Sequence, residues 1–133
     1  MNEPSIFTKI INGDIPCHKV YEDDSTFAFM DIEPIQPGMV LVIPKEQIDN
    51  FEDMSDDLVC DVMLTAKKIM KALRRVYPNK KKIGVQIEGL EVPHTHIKLI
   101  PIDTGAEFHA RPNKDIDNAE LAELAEKIKE NIE

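Results

Sequence analysis

The stretch Val92-Pro93-His94-Thr95-His96-Ile97-Lys98-Leu99-Ile100-Pro101 holds two of the chain's four histidines and alternates polar with apolar residues. A period of two marks a strand with one face on a core, and it predicts a strand over 95–101. Side chains then point to opposite faces in turn. His94, His96 and Lys98 fall on one side and Thr95, Ile97 and Leu99 on the other. Neighbours on one face stand about 6.5–7 Å apart. The apolar set packs beneath a helix, while the two imidazoles and the ammonium look into a common cleft. Three nitrogen-bearing groups on one face suit the handling of a phosphate. Two other readings stand beside that one: ordinary polar positions of an exposed edge strand, and a pair of metal ligands. The metal reading lacks a nearby carboxylate or thiolate as third ligand.

Upstream, Lys82 to Glu88 reads as a strand through Ile83, Val85 and Ile87, and Gly89 interrupts it. Before it lies the clearest helix in the chain. Ser55-Asp56-Asp57 supplies a hydroxyl cap and two acids for the first turn. Leu58, Val62, Ala66, Ile69, Leu73 and Val76 then keep helical spacing until Pro78. Further back, His18–Glu22 and Thr26–Asp31 read as a hairpin turned by Asp23-Asp24-Ser25. Ile32–Gly38, with two prolines and a glycine, is a loop, and Met39–Ile43 is a strand closed by Pro44. Ile6, Phe7, Ile10 and Ile11 suit a short helix over 5–12. Downstream, Gly105–Asn113 is polar and irregular. Asp117 with Glu120 resembles a capping box, followed by the stripe Leu121, Leu124, Ala125 and Ile128. Five strands on short links, with one long helix inserted after the third, imply an α+β fold. The expected architecture is a five-stranded antiparallel sheet with one long helix and short N- and C-terminal helices. Residues 1–133 form a single domain, of which 102–133 is a C-terminal extension ending in a helix.

At 133 residues the chain buries roughly 65–70% of its unfolded surface and needs no disulfide to fold. Cys17 and Cys60 therefore read as buried, reduced thiols of a cytoplasmic protein. Met1-Asn2-Glu3-Pro4-Ser5 shows no basic stretch leading into an apolar run, so no secretory leader is expected. No apolar run approaches membrane-spanning length, so no membrane partner is expected. A net charge of -9 opposes binding to a nucleic-acid polymer, whose counterions must be displaced by lysine and arginine. The densest basic cluster, Lys80-Lys81-Lys82, reads as a solvated turn. Small phosphates are not excluded, because local geometry can bind them on an acidic protein.

The run His94-Thr95-His96-Ile97-Lys98-Leu99-Ile100-Pro101 resembles the signature of the histidine triad (HIT) family, His-φ-His-φ-His-φ-φ, with the proline that follows it in bacterial members. Other stretches are similar to that family in order and spacing. They are Ser5–Pro16, Val20–Asp24, Phe27–Ile32 and Pro37–Lys45, so the resemblance spans roughly the first hundred residues. Gly89-Leu90-Glu91-Val92-Pro93-His94 is similar to a bacterial branch with a shortened loop before the signature, and the chain as a whole resembles the nucleotide-binding phosphoramidase branch.

The resemblance implies a fold paired across a two-fold axis into a homodimer, chiefly through the helix 58–76 and the strand 82–88. It implies a nucleotide substrate cleaved at its α-phosphorus, either a nucleoside phosphoramidate or a dinucleoside polyphosphate, with no cofactor. On this pattern His96 is the nucleophile, forming a covalent nucleotidyl-histidine that water opens. His94 orients it, and Asp31 accepts the ribose hydroxyls. Ile6, Phe7, Ile10, Ile15, Phe29 and Ile32 enclose the base. Asp31 also reads as a loop-entry aspartate bonding its own backbone, and the apolar residues as core.

The sequence departs from the family pattern in four places. Lys98 stands where a third histidine is expected, offering a point charge and a poor proton donor near pH 7. Met39 stands where many members have a supporting histidine. Ser5, Thr8 and Gln47 stand where some bacterial members place zinc ligands, leaving His94 alone, so no metal is expected. Glu88-Gly89-Leu90-Glu91 lacks the usual asparagine and serine phosphate contacts. The alternative function is therefore a nucleotide-binding protein with little or no turnover.

Overall fold

Asp23 turns the first hairpin with one carboxylate oxygen, which accepts the backbone N–H of Ser25 at 3.0 Å, that of Thr26 at 2.8 Å and the Thr26 hydroxyl at 2.8 Å. Such a side-chain-closed turn is what Asp contributes between two strands. In the computed structural model, which describes residues 3–133, it joins β1 (Lys19–Glu22) to β2 (Thr26–Met30). β3 (Val40–Pro44), β4 (Lys82–Gln86) and β5 (Ile97–Ile102) complete one antiparallel sheet in the order β1-β2-β3-β5-β4. The long helix α2 (Asp56–Val76) leaves after β3, and the chain returns so that β5 lies inside the sheet and β4 at its edge. The architecture is α+β, as the sequence pattern implies.

The alternation of β2, β3 and β5 builds two cores rather than one. Ala28, Met30, Val40, Val42, Ile97 and Leu99 meet Val62, Ala66, Ile69 and Leu73 of α2. Leu121, Ala125 and Ile128 of α3 (Asn118–Glu130) join the same cluster, so the C-terminal helix shares the main core. On the other face Phe27, Phe29, Leu41, Ile43, Ile100 and Ile102 pack with Phe7 of α1 (Ile6–Ile11). This second, thinner cover is what leaves room for a cleft.

Ser55 caps α2 by accepting the Leu58 N–H at 3.2 Å, and the helix ends at Tyr77, before Pro78. The Tyr77 ring lies against Gly38, whose φ of +86° needs glycine and where a Cβ would come within 2.5 Å of the ring. That contact fixes the end of the 32–38 loop, and with it the return from Asp31, whose N–H donates to Met39 O at 3.2 Å.

Several expectations need correction. β5 begins at Ile97 rather than Thr95 and β4 ends at Gln86 rather than Glu88, because the intervening chain turns through bends around Gly89 at φ +69°. Asp117 caps α3 through the Ala119 N–H, with no reciprocal bond from Glu120 among the described residues. The capping box lies at Thr104 and Glu107, in a 3-10 turn (Gly105–His109) that orders part of the stretch read as irregular. Cys60 is exposed on α2 and Cys17 only half-buried, because Cys60 lies on the helix face turned from the sheet. Among the described residues no helix is long and apolar enough to cross a membrane. The reading of the N-terminus for a leader rests partly on Met1 and Asn2, which lie outside the described residues.

Candidate active site

On the α1 face of the sheet lies a cleft of about 350 Å³. Ile6, Phe7 and Ile10 of α1, Ile15 of the following turn, Phe29 of β2, Asp31 and Ile32 of the loop entry, His96 and Lys98 all line it. Nine of the ten residues singled out in the sequence thus converge on one cavity. Phe7 and Phe29 are buried and serve as core and cleft floor together. Ile6 and Ile32, 48% and 61% exposed, are rim residues whose apolar surface lies open. Packing explains the first pair; it does not explain the second, whose exposed apolar surface faces the cleft.

His94 is the exception: it does not line the cleft, although it lies beneath α1 on the same side as His96, against Phe7 and Ser5. His94 turns inward, fully buried, with Nε2 2.8 Å from Pro44 O and Nδ1 2.8 Å from Ser5 Oγ. Burial pushes its pKa below the usual histidine value, opposed by the hydrogen bond to Pro44 and helped by the nearby His96. Thr95 pins the segment from the other side, its N–H and hydroxyl both donating to Ile48 O at 2.7 Å.

His96 is 6% exposed, and its Nδ1 donates to the His94 carbonyl at 2.8 Å. A carbonyl only accepts, so Nδ1 carries the hydrogen, and neutral Nε2 keeps its lone pair. Nε2 has no hydrogen-bond partner among the described residues. Phe7 stands edge-on to both imidazoles, its centroid 5.0 Å from that of His96 and 5.8 Å from that of His94. A neighbouring cleft of about 310 Å³, lined by Asp49, Asn50, Glu52 and Glu88, also reaches His96.

Asp31 fits both of its readings. One oxygen accepts the Glu33 N–H at 2.8 Å, an Asx turn; the other has no partner among the described residues. Burial raises its pKa, while the Glu33 N–H, Lys98 and His96 pull it down. Lys98 shares a sheet face with Leu41 and Ile100 and bonds Glu88 Oε1 at 2.5 Å. Sequence reasoning missed Glu88 as a partner. Gln86 lies opposite Lys98 in the β4–β5 ladder, and Glu88, just past the strand end, turns back to reach its ammonium, which no local sequence signal gives. Lys98 holds the Glu88 carboxyl down to about 2, through its hydrogen bond and charge, with help from the Leu90 N–H.

Met39 is buried beneath the 32–38 loop, where its sulfur accepts a long bond from Ile35 N–H at 3.5 Å. Ser5, Thr8, Gln47 and His94 meet at one point. Besides the Ser5–His94 bond, Thr8 Oγ1 lies 2.7 Å from Gln47 Oε1 and 3.5 Å from His94 Nδ1, and Ser5 N–H donates to Gln47 Oε1 at 2.7 Å. Two hydroxyls, an amide oxygen and one imidazole do not suit zinc, which takes thiolate, imidazole and carboxylate.

Residues 12–105 match the HIT domain family. An uncharacterized HIT-like protein of Methanocaldococcus jannaschii is 35% identical over 127 residues, covering 93% of this chain and 98% of that protein. The adenosine 5'-monophosphoramidase hnt1 of Schizosaccharomyces pombe is 38% identical over 96 residues, 72% of each chain. Among solved structures, a HIT-like protein from Bartonella henselae described as involved in cell-cycle regulation superposes with a TM-score of 0.87 at 33% identity, covering 98% of both chains. With the match running across most of the sheet and through the 94–101 segment, this chain belongs to the HIT family.

Proposed function

We propose that the protein is a nucleotide hydrolase or nucleotidyl transferase that cleaves a nucleoside phosphoramidate or dinucleoside polyphosphate at the α-phosphorus through His96. The observation that carries this reading is the state of the His96 ring: Nδ1–H is held by the His94 carbonyl, and Nε2 has no partner among the described residues, in a cleft also lined by Ile6, Ile10, Ile15 and Phe29. The base lies among Ile6, Phe7, Ile10, Ile15, Phe29 and Ile32, and the ribose hydroxyls donate to the free oxygen of Asp31. The Nε2 lone pair forms a bond to phosphorus, and the P–N or P–O bond to the leaving group breaks with its electron pair. The ring then carries a positive charge, which the His94 carbonyl stabilises through Nδ1–H. Water attacks phosphorus next, the P–Nε2 bond breaks, and a nucleoside monophosphate leaves with the imidazole restored. Relatives named adenosine 5'-monophosphoramidase support a phosphoramidate as the substrate.

One observation favours a second reading, a nucleotide-binding protein with little turnover. Lys98, which stands where the family pattern has a third histidine, is engaged by Glu88 and so is a poor donor of a proton to a departing amine. Adenosine and guanosine phosphoramidates decide between the two. Turnover together with a protein mass increased by one nucleotidyl group supports the hydrolase; binding without either supports the second reading.

A further inference from the structure

We propose that Ser5, Thr8 and Gln47 are positioning residues that fix the His94 ring through a chain of hydrogen bonds. They hold the His94 ring against Pro44 O, which fixes its tautomer, and His94 passes that constraint to the His96 ring through its carbonyl. This rests on His96 being the nucleophile.

The hydrogens of the cluster have a single consistent assignment. Pro44 O can only accept, so the hydrogen of neutral His94 is on Nε2. Nδ1 is then an acceptor, and the Ser5 hydroxyl donates to it at 2.8 Å. Ser5 Oγ in turn accepts the Thr8 N–H at 3.0 Å. The Thr8 hydroxyl donates to Gln47 Oε1 at 2.7 Å, which also takes the Ser5 N–H, and the Gln47 amide donates to Glu3 O at 2.9 Å. A flipped Gln47 would set its NH₂ against the Ser5 N–H, and a flipped His94 ring would lose both of its bonds. Burial keeps His94 neutral and so keeps this pattern. The far end of the chain is the His94 carbonyl, 2.8 Å from His96 Nδ1. Once the His94 side chain is loose, only the Thr95 bonds to Ile48 O still hold that peptide; its carbonyl is held less firmly, the His96 tautomer is less strictly enforced, and the hydrogen moves to Nε2 in part of the molecules. Those molecules have no lone pair at the cleft.

The same residues tie the nucleophile to the pocket wall. Ser5 caps α1 and Thr8 lies within it, and the next face of that helix carries Ile6, Phe7 and Ile10. A short helix thus serves both as wall and as clamp.

The test uses Ser5→Gly, which keeps an acceptable helix cap but removes the hydroxyl, Gln47→Leu, and Ser5→Thr. The readouts are the ring-nitrogen shifts of both imidazoles at neutral pH, and kcat and KM for adenosine phosphoramidate. In the parent, His94 is expected as the Nε2–H form and His96 as the Nδ1–H form. In Ser5→Gly and Gln47→Leu both rings become tautomer mixtures, and kcat falls by about tenfold with KM within about twofold, the pattern of a lost orientation rather than a lost contact. Ser5→Thr, which keeps the hydroxyl, recovers most of the rate and the single tautomers. Unchanged nitrogen shifts in both disabling variants overturn the proposal. So does a rise of KM in step with the fall of kcat, which means the pocket wall has moved. The nitrogen shifts do not need turnover, so they judge the proposal even if no phosphoramidate is hydrolysed.

Discussion

The ammonium of Lys98 lies 2.5 Å from Glu88 Oε1, so the lysine that lines the cleft among the described residues is already paired with a carboxylate. On the proposed function a substrate phosphate would have to compete for it, and the nearby Asp31, Glu33 and Glu91 add further negative charge. The pair therefore bears on both affinity and leaving-group preference.

Glu88→Gln should tighten binding of a nucleoside monophosphate, and Lys98→Ala should weaken it, each by several-fold, of the order expected for one partly exposed charge pair. Lys98→His should raise the rate most for alkylamine phosphoramidates, which need a proton as they depart, and least for substrates with good leaving groups. A leaving-group series on parent and histidine variant measures this. Equal rates across the series would remove Lys98 from the chemistry.

The pair also sets a pH window. The Glu88 carboxyl is lowered from 4.5 to about 2, so the stability it contributes is complete above its ordinary pKa and is lost as pH falls from there towards 2. Carboxyl-carbon NMR should show a Glu88 midpoint near 2 in the parent. In Lys98→Ala the midpoint should return most of the way to its ordinary value, since the lysine is the main cause of the shift.

His96→Ala should abolish the covalent adduct and lower turnover by at least roughly 10³-fold while leaving nucleotide affinity nearly intact. Asp31→Ala should do the opposite, raising the nucleotide Kd by about tenfold or more, the usual cost of a lost hydrogen bond to a charged group. Calorimetric binding and single-turnover rates on both variants separate the two roles. Equal loss of binding in each would refute the division.

β4 is an edge strand whose Val85, and Ile87 just beyond it, are each 39% exposed, and Leu64 on α2 is 63% exposed. An unpaired edge with apolar side chains invites a partner. We expect a two-fold dimer through β4 and α2 burying at least about 1,200 Å². Light scattering at micromolar concentration tests it, and Val85→Lys should shift the protein towards monomer; a monomeric parent would defeat the expectation.

The long helix and the five strands were legible because their signals are periodic: Leu58 to Val76 repeats every three or four residues, and β5 every two. The cleft residues were legible through resemblance, since nothing local in Ile6 or Ile32 distinguishes a pocket rim from a core. What escaped were features that depend on distant partners. His94 looks like a strand residue from its neighbours, yet Pro44 and Ser5, far off in the chain, draw it inward. Ser5, Thr8 and Gln47 read only as positions lacking metal ligands; that they bond one another required the fold. Thr104 and Glu107 carried a readable capping signal that was passed over in a polar stretch.

A helix of six residues cannot persist by its own propensity, and α1 is that short. Its order is borrowed from what it touches: Phe7 against the sheet, Ser5 against His94, and the Gln47 amide beneath. Any opening of α1 therefore removes the pocket wall, the edge-on ring beside both imidazoles, and the anchor of His94 in one event. The site should exist whole or not at all, as a cooperative patch that exchanges its amide hydrogens together and sooner than the α2 core. A ligand gripping Ile6 and Ile10 would then slow that exchange on the opposite side of α1 as well, where Gln47 bonds Ser5 and Thr8, a record of occupancy written behind the wall the ligand touches.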